Sequence, residues 1–168
     1  MLNKKNKILA IDPGTRVMGF AFFENEKLIH FGVKTFPKTL SPHETLKEGK
    51  SVILRLIQDF NPNVLVYEKA FFANNRTAKQ VMIFADEIGK IGKRKKLEVK
   101  SFAPSSVKKC ITGYGNALKE DVARVVVSKY PELRVYLTQD KKWKEIYHQN
   151  MFDAVAVGLL VLRKSFKI

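Results

Sequence analysis

The chain has 168 residues, 45% of them hydrophobic, and its 31 Lys and Arg outnumber 16 Asp and Glu for a net charge of +15. This is enough apolar material for one ordinary core, so a single domain over residues 1–168 is expected, and the charge makes nucleic acid the leading partner. No stretch reaches the roughly 18 consecutive apolar residues of a spanning helix, the basic start runs straight into a strand without a secretory segment, and the lone Cys110 excludes an intramolecular disulfide or a cysteine-based zinc site.

The first 36 residues read as three strands, Lys7 to Asp12, Met18 to Glu24 and Lys27 to Phe36, with turns at Pro13-Gly14 and Asn25-Glu26. Ser41, Pro42 and Glu44 carry the signature of a helix start, and Leu46, Val52, Ile53, Leu56, Ile57 and Phe60 then recur at helical spacing until Asn61-Pro62. Val64 to Glu68 is a short apolar run suited to the centre of a sheet. A helix over about 77–93 follows, then a short strand from Leu97 to Ser101, a helix from Pro104 through Cys110 broken at Gly113, a helix from Leu118 to Lys129 stopped by Pro131, and a final helix over about 147–163 that buries Met151, Val155, Leu159 and Leu162. Residues 132–146 read as a charged, exposed connection. A meander followed by alternating helices and strands predicts an α/β fold, a mixed sheet covered by helices.

Three acids stand out. Asp12 and Glu68 each terminate an apolar strand, and Asp153 lies on an otherwise apolar helix face, where an unpaired carboxylate is costly. Singly, each has an ordinary explanation: Asp12 satisfies the turn at Gly14, Glu68 pairs with a lysine, Asp153 bonds a backbone group. Together they could hold two metal ions that activate water and stabilise the leaving 3′ oxygen in phosphodiester hydrolysis.

Ile11-Asp12-Pro13-Gly14-Thr15-Arg16-Val17-Met18-Gly19 resembles the first motif of RuvC-type Holliday junction resolvases, Val66-Tyr67-Glu68-Lys69-Ala70-Phe71 the second, and Asp153-Ala154-Val155-Ala156-Val157-Gly158-Leu159 the last. The stretch from Ser106 to Lys119 is similar to the family's basic segment, and the resemblance covers most of the chain outside residues 132–147. It implies an RNase H-like fold with a five-stranded mixed sheet, a homodimer, and paired Mg²⁺-dependent nicks across a four-way DNA junction, with Mn²⁺ able to substitute. It further implies that Asp12, Glu68 and Asp153 are metal ligands, that Lys108 and Lys119 sit beside the scissile phosphate, and that Phe71 lies at the junction centre, with Lys109 and Arg76 as further DNA contacts. Phe71 could instead be a core residue, although Phe72 is the better core candidate of the pair. The helix from Arg76 to Lys93 is the expected dimer interface; the bacterial or phage-infected cytoplasm is the expected location, and no helicase partner is indicated.

The chain departs from the family at Asn150, where a second Asp or a His is usual. An amide oxygen brings no negative charge, so a weaker metal site is expected. Three readings stand: a working variant with lower metal affinity, a protein that binds junctions without cutting them, or a substitute ligand at His148. His148 lies two residues away, about 200° around the helix, and faces poorly for that role. An actin-like kinase or ATPase, which shares this kind of sheet and an acidic Gly-containing turn, would need a second copy of the fold for which the chain has no room.

Overall fold

The computed structural model describes residues 6–70, 72, 74–137 and 148–165. Its strands are β1 (Lys7–Asp12), β2 (Val17–Glu24), β3 (Lys27–Thr35), β4 (Val64–Glu68) and β5 (Glu98–Phe102). They form one sheet in the order β3-β2-β1-β4-β5. The first three strands are an antiparallel meander, whereas β1, β4 and β5 run parallel. The helices are α1 (Pro42–Phe60), α2 (Arg76–Arg94), α3 (Pro104–Thr112), α4 (Lys119–Lys129), the single turn α5 (Arg134–Leu137) and α6 (Gln149–Ser165).

The two-residue period of the strands divides the core. Leu9, Ile11, Leu65 and Tyr67 face α1 and α2, while Ile8, Ala10, Val64 and Val66 face α3, α4 and α6. The start of α1 follows from its sequence: Ser41 Oγ accepts from the Glu44 backbone N–H at 3.2 Å, and the Glu44 carboxylate accepts from the Ser41 N–H at 2.7 Å. Asn61 ends the helix in a left-handed conformation, φ 46°.

Helix α6 is buried along nearly its whole length because two glycines let it approach the sheet. A Cβ at Gly158 would lie 2.1 Å from the Phe23 ring, and one at Gly19 would lie 1.8 Å from the Asn150 backbone oxygen. Gly19 sits directly opposite Asp12 across β1 and β2, so the start of α6 passes over the end of the first strand. Gly19→Ala is therefore expected to destabilise the fold by about 1–3 kcal/mol or more, since backbone rather than a flexible side chain must give way. A urea titration measures the loss.

Two expectations are corrected. Phe72 is not a core residue: it is 87% exposed, because β4 ends at Glu68 and the chain has left the sheet before reaching it. The stretch after Pro131 is not wholly exposed, for it forms a 3₁₀ turn, Pro131–Leu133, that seats Leu133 in the core with Val126 and Tyr130. Phe71 and residues 138–147 lie outside the described residues. Among those that are described, no helix is long and apolar enough to cross a membrane.

Candidate active site

The register of two parallel strands brings the first two acids together. Ala10 pairs with Val66 and Ile11 with Tyr67, and the next step aligns Asp12 with Glu68 on neighbouring strands, about 4.8 Å apart in the hydrogen-bonding direction. Both share the parity of Ala10 and Val66, which face α6, and α6 supplies Asp153. The site thus lies at the C-terminal ends of β1 and β4, beneath the first turns of α6.

The three acids influence one another's ionisation. Asp12 is held well above the usual carboxylate range by burial first and then by the charges of Asp153 and Glu68, against which Lys119 and Asn150 pull it back. Burial and Asp153 push Glu68 up to about 7, with Lys119 and Lys108 opposing. Burial also raises Asp153, while Lys119, a hydrogen bond from Gln149 and Lys108 lower it.

Such a cluster is short of positive charge in a chain that otherwise carries too much, and its hard oxygen donors suit a divalent cation of the Mg²⁺ type. The cluster is not a ready-made cage, however. Among the described residues no group of three or more His, Cys, Asp or Glu side chains is placed so that it could hold a metal ion. Asp153 is engaged elsewhere, with Oδ1 accepting from Gln149 Nε2 at 3.0 Å and Oδ2 facing Lys119 Nζ at 3.8 Å.

Asn150 is placed at the site with its nitrogen, not its oxygen, committed. Nδ2 donates to the Val17 carbonyl at 3.0 Å, and since a carbonyl cannot accept from an amide oxygen, this contact fixes which way the amide points. The same side chain pulls the Asp12 pKa down against the larger effects that raise it. The His148 ring packs on Tyr136 at 4.9 Å between centroids, and burial lowers its pKa.

The basic residues divide. Lys108 and Lys119 both act on the acids. Lys109 points away, into a cleft of about 750 Å³ that it lines with Lys129, Arg163 and Lys164. Arg76 opens α2, whose first turn holds no acid to offset the positive end of the helix, and it borders a separate cleft with Arg16 and His43. Sequence reasoning missed Gln149, which is buried against Asp153. Its signal was present, since Gln and Asp four residues apart on a helix are hydrogen-bonding neighbours.

Since Glu68 titrates near 4.5 when unfolded and near 7 when folded, the folded state holds its proton more tightly. The stability this contributes is fully present below about pH 4.5 and is lost as pH rises through 7. In EDTA the protein is expected to be less stable at pH 8 than at pH 5.5, by an amount on the order of a few kcal/mol, and Glu68→Gln is expected to flatten that difference in thermal melts.

An RNase H-like sheet with acids at the ends of its first and fourth strands and a third on the closing helix defines a nuclease of that superfamily. The chain belongs to the family described as Crossover junction endodeoxyribonuclease RuvC, whose pattern it matches over residues 8–159, a family of metal-dependent nucleases. Among its relatives, the crossover junction endodeoxyribonuclease RuvC of Halothermothrix orenii is 32% identical over 71% of this chain and 75% of its own length. That of Thermosipho melanesiensis is 34% identical over 71% of this chain and 80% of its own. The fold is that of Thermus thermophilus RuvC, solved in complex with a Holliday junction substrate, with a TM-score of 0.73 at 19% identity and coverage of 96% of both chains.

Proposed function

We propose that this protein is an endonuclease that resolves four-way DNA junctions by paired, symmetric nicks, acting as a homodimer that sets one acidic site against each of two strands. The observation that carries this reading is the pairing of β1 with β4 up to Ile11 and Tyr67, which sets the next residues, Asp12 and Glu68, at neighbouring strand ends where both feel the charge of Asp153, beside Lys108 and Lys119 in a chain of net charge +15. Asp12, Glu68 and Asp153 would hold two Mg²⁺ ions, or Mn²⁺ in their place, and the ions would supply an activated water and stabilise the leaving 3′ oxygen. Lys108 and Lys119 neutralise charge at the scissile phosphate, and Arg76, at the positive end of α2, holds the backbone in register. Lys109 extends the basic track around α3. The exposed Phe72 joins Phe71 at the junction centre, where an aromatic face stacks on an unpaired base. We place the whole chain in one nuclease domain, working on DNA in the cytoplasm.

A nicking assay on a synthetic four-way junction, with linear duplex as control and Mg²⁺ or Mn²⁺ as cofactor, tests this. Paired nicks at symmetric positions are expected, with binding that weakens steeply as salt rises. Intact DNA under both ions, with junction binding retained, would favour a second reading, a junction-binding protein that has lost turnover. The engagement of the Asn150 nitrogen with the Val17 carbonyl is the observation on its side.

A further inference from the structure

The three most exposed large apolar side chains among the described residues are Phe72 at 87%, Leu118 at 69% and Tyr114 at 62%. All three lie outside the regular elements. Phe72 follows β4, whereas Tyr114 and Leu118 occupy the connection between α3 and α4 on the side of the two active-site lysines.

That connection is tied down at several points. Thr112 Oγ1 donates to the Lys108 carbonyl at 2.8 Å and accepts from the Tyr114 N–H at 3.2 Å. The Ala117 N–H donates to the Tyr114 carbonyl at 3.2 Å, and the Leu118 N–H to Asp121 Oδ2 at 3.1 Å. Ala117 is buried. The backbone is thus fixed while its two largest side chains stand in solvent. Leu118 occupies the N-cap of α4, where Ser, Thr, Asp or Asn would stabilise the helix and an exposed leucine does not. Both side chains are exposed on a fixed backbone and are therefore open to a contact made outside the chain.

The position identifies that contact. Leu118 is followed by Lys119, which reaches Asp153 at 3.8 Å, and Tyr114 is joined through Thr112 to Lys108. A DNA strand bound at the acids and the two lysines would pass along the connection that carries Tyr114 and Leu118. Resting on the junction-cutting reading above, we infer that Tyr114 and Leu118 form an apolar wedge that packs on the bases flanking the scissile phosphate and selects the sequence at which the strand is cut. Apolar side chains inserted between base steps and aromatic rings stacked on bases are established ways for a protein to engage distorted DNA. The lysines on either side anchor the backbone without reading it.

The test uses a four-way junction with a homologous core, so that the crossover samples many sequences, and maps the cut positions of the full-length protein and of the Tyr114→Ala/Leu118→Ser variant. The wild type is expected to favour a subset of positions. In the variant the ratio between favoured and disfavoured positions is expected to fall about tenfold, the scale of one lost stacking contact, with junction affinity within about threefold and no loss of thermal stability. A variant with the wild-type cut distribution overturns the inference while leaving the junction reading intact. So does a variant that changes its oligomeric state in sedimentation without changing its cut distribution, since the two side chains would then contact protein. A wild type that fails to bind the junction removes the junction reading and this inference together.

Discussion

Asp12→Asn is expected to reduce junction cutting by more than about a hundredfold, the scale at which even the outer partners of a metal site act, while leaving junction affinity within a few-fold. The substitution keeps the shape of a side chain buried at the end of β1 and opposite Gly19, so the fold has no reason to change. Under the proposed function it removes one of the three carboxylates that would hold a divalent cation. The same change relieves the metal-free protein. Burial, Asp153 and Glu68 all oppose ionisation of Asp12, so a neutral amide there is expected to raise the melting temperature in EDTA at pH 8 and to reduce the stabilisation that added Mg²⁺ provides. Cutting is read by gel and metal linkage by melts with and without Mg²⁺. A variant that cuts at the wild-type rate would show that Asp12 holds no catalytic metal.

Asn150→Asp is expected to act in opposite directions on the metal-free and metal-bound forms. Without metal, the new side chain loses the amide donor to the Val17 carbonyl at 3.0 Å and brings a fourth carboxyl group to a cluster that already suppresses ionisation. Leaving a buried acceptor unsatisfied costs roughly 1–3 kcal/mol, or several degrees in melting temperature for a chain of this length. With metal, the added charge is expected to lower the Mg²⁺ needed for half-maximal cutting by about tenfold, because hard cations bind more tightly as carboxylates replace neutral oxygens. Melting in EDTA and a Mg²⁺ titration of the cutting rate report the two effects separately. Unchanged stability in EDTA would show that the amide does not tie α6 to the β1–β2 turn. An unchanged Mg²⁺ requirement would show that position 150 lies outside the reach of the metal.

Several elements could be read from local sequence because local chemistry creates them. The capping box at Ser41 and Glu44, the break at Asn61-Pro62 and the turn at Gly113, with φ at 86°, are set by the residues that form them. The acids were legible for a related reason: a carboxylate at the end of an apolar strand or on an apolar helix face conflicts with its surroundings, and such conflicts mark functional positions. Phe72 was misread because nothing local shows that the chain has left the sheet, and Leu133 because a charged neighbourhood hides one buried side chain.

Periodicity, capping and charge along the chain placed most of the strands and helices, their order and the positive field around the molecule, whereas the three acids stood out as a set through the resemblance of their motifs to a known family. Tertiary structure alone decided that Asp12 and Glu68 end neighbouring strands, that Lys119 reaches Asp153, that the Asn150 nitrogen faces Val17, and that Tyr114 and Leu118 are exposed. The reason is that a side chain's direction and partners depend on strand register and helix docking. Asp12 and Glu68 meet only because β1 pairs with β4, and the start of α6 reaches the Asp12–Gly19 pair only because Gly19 has no side chain to hold it away.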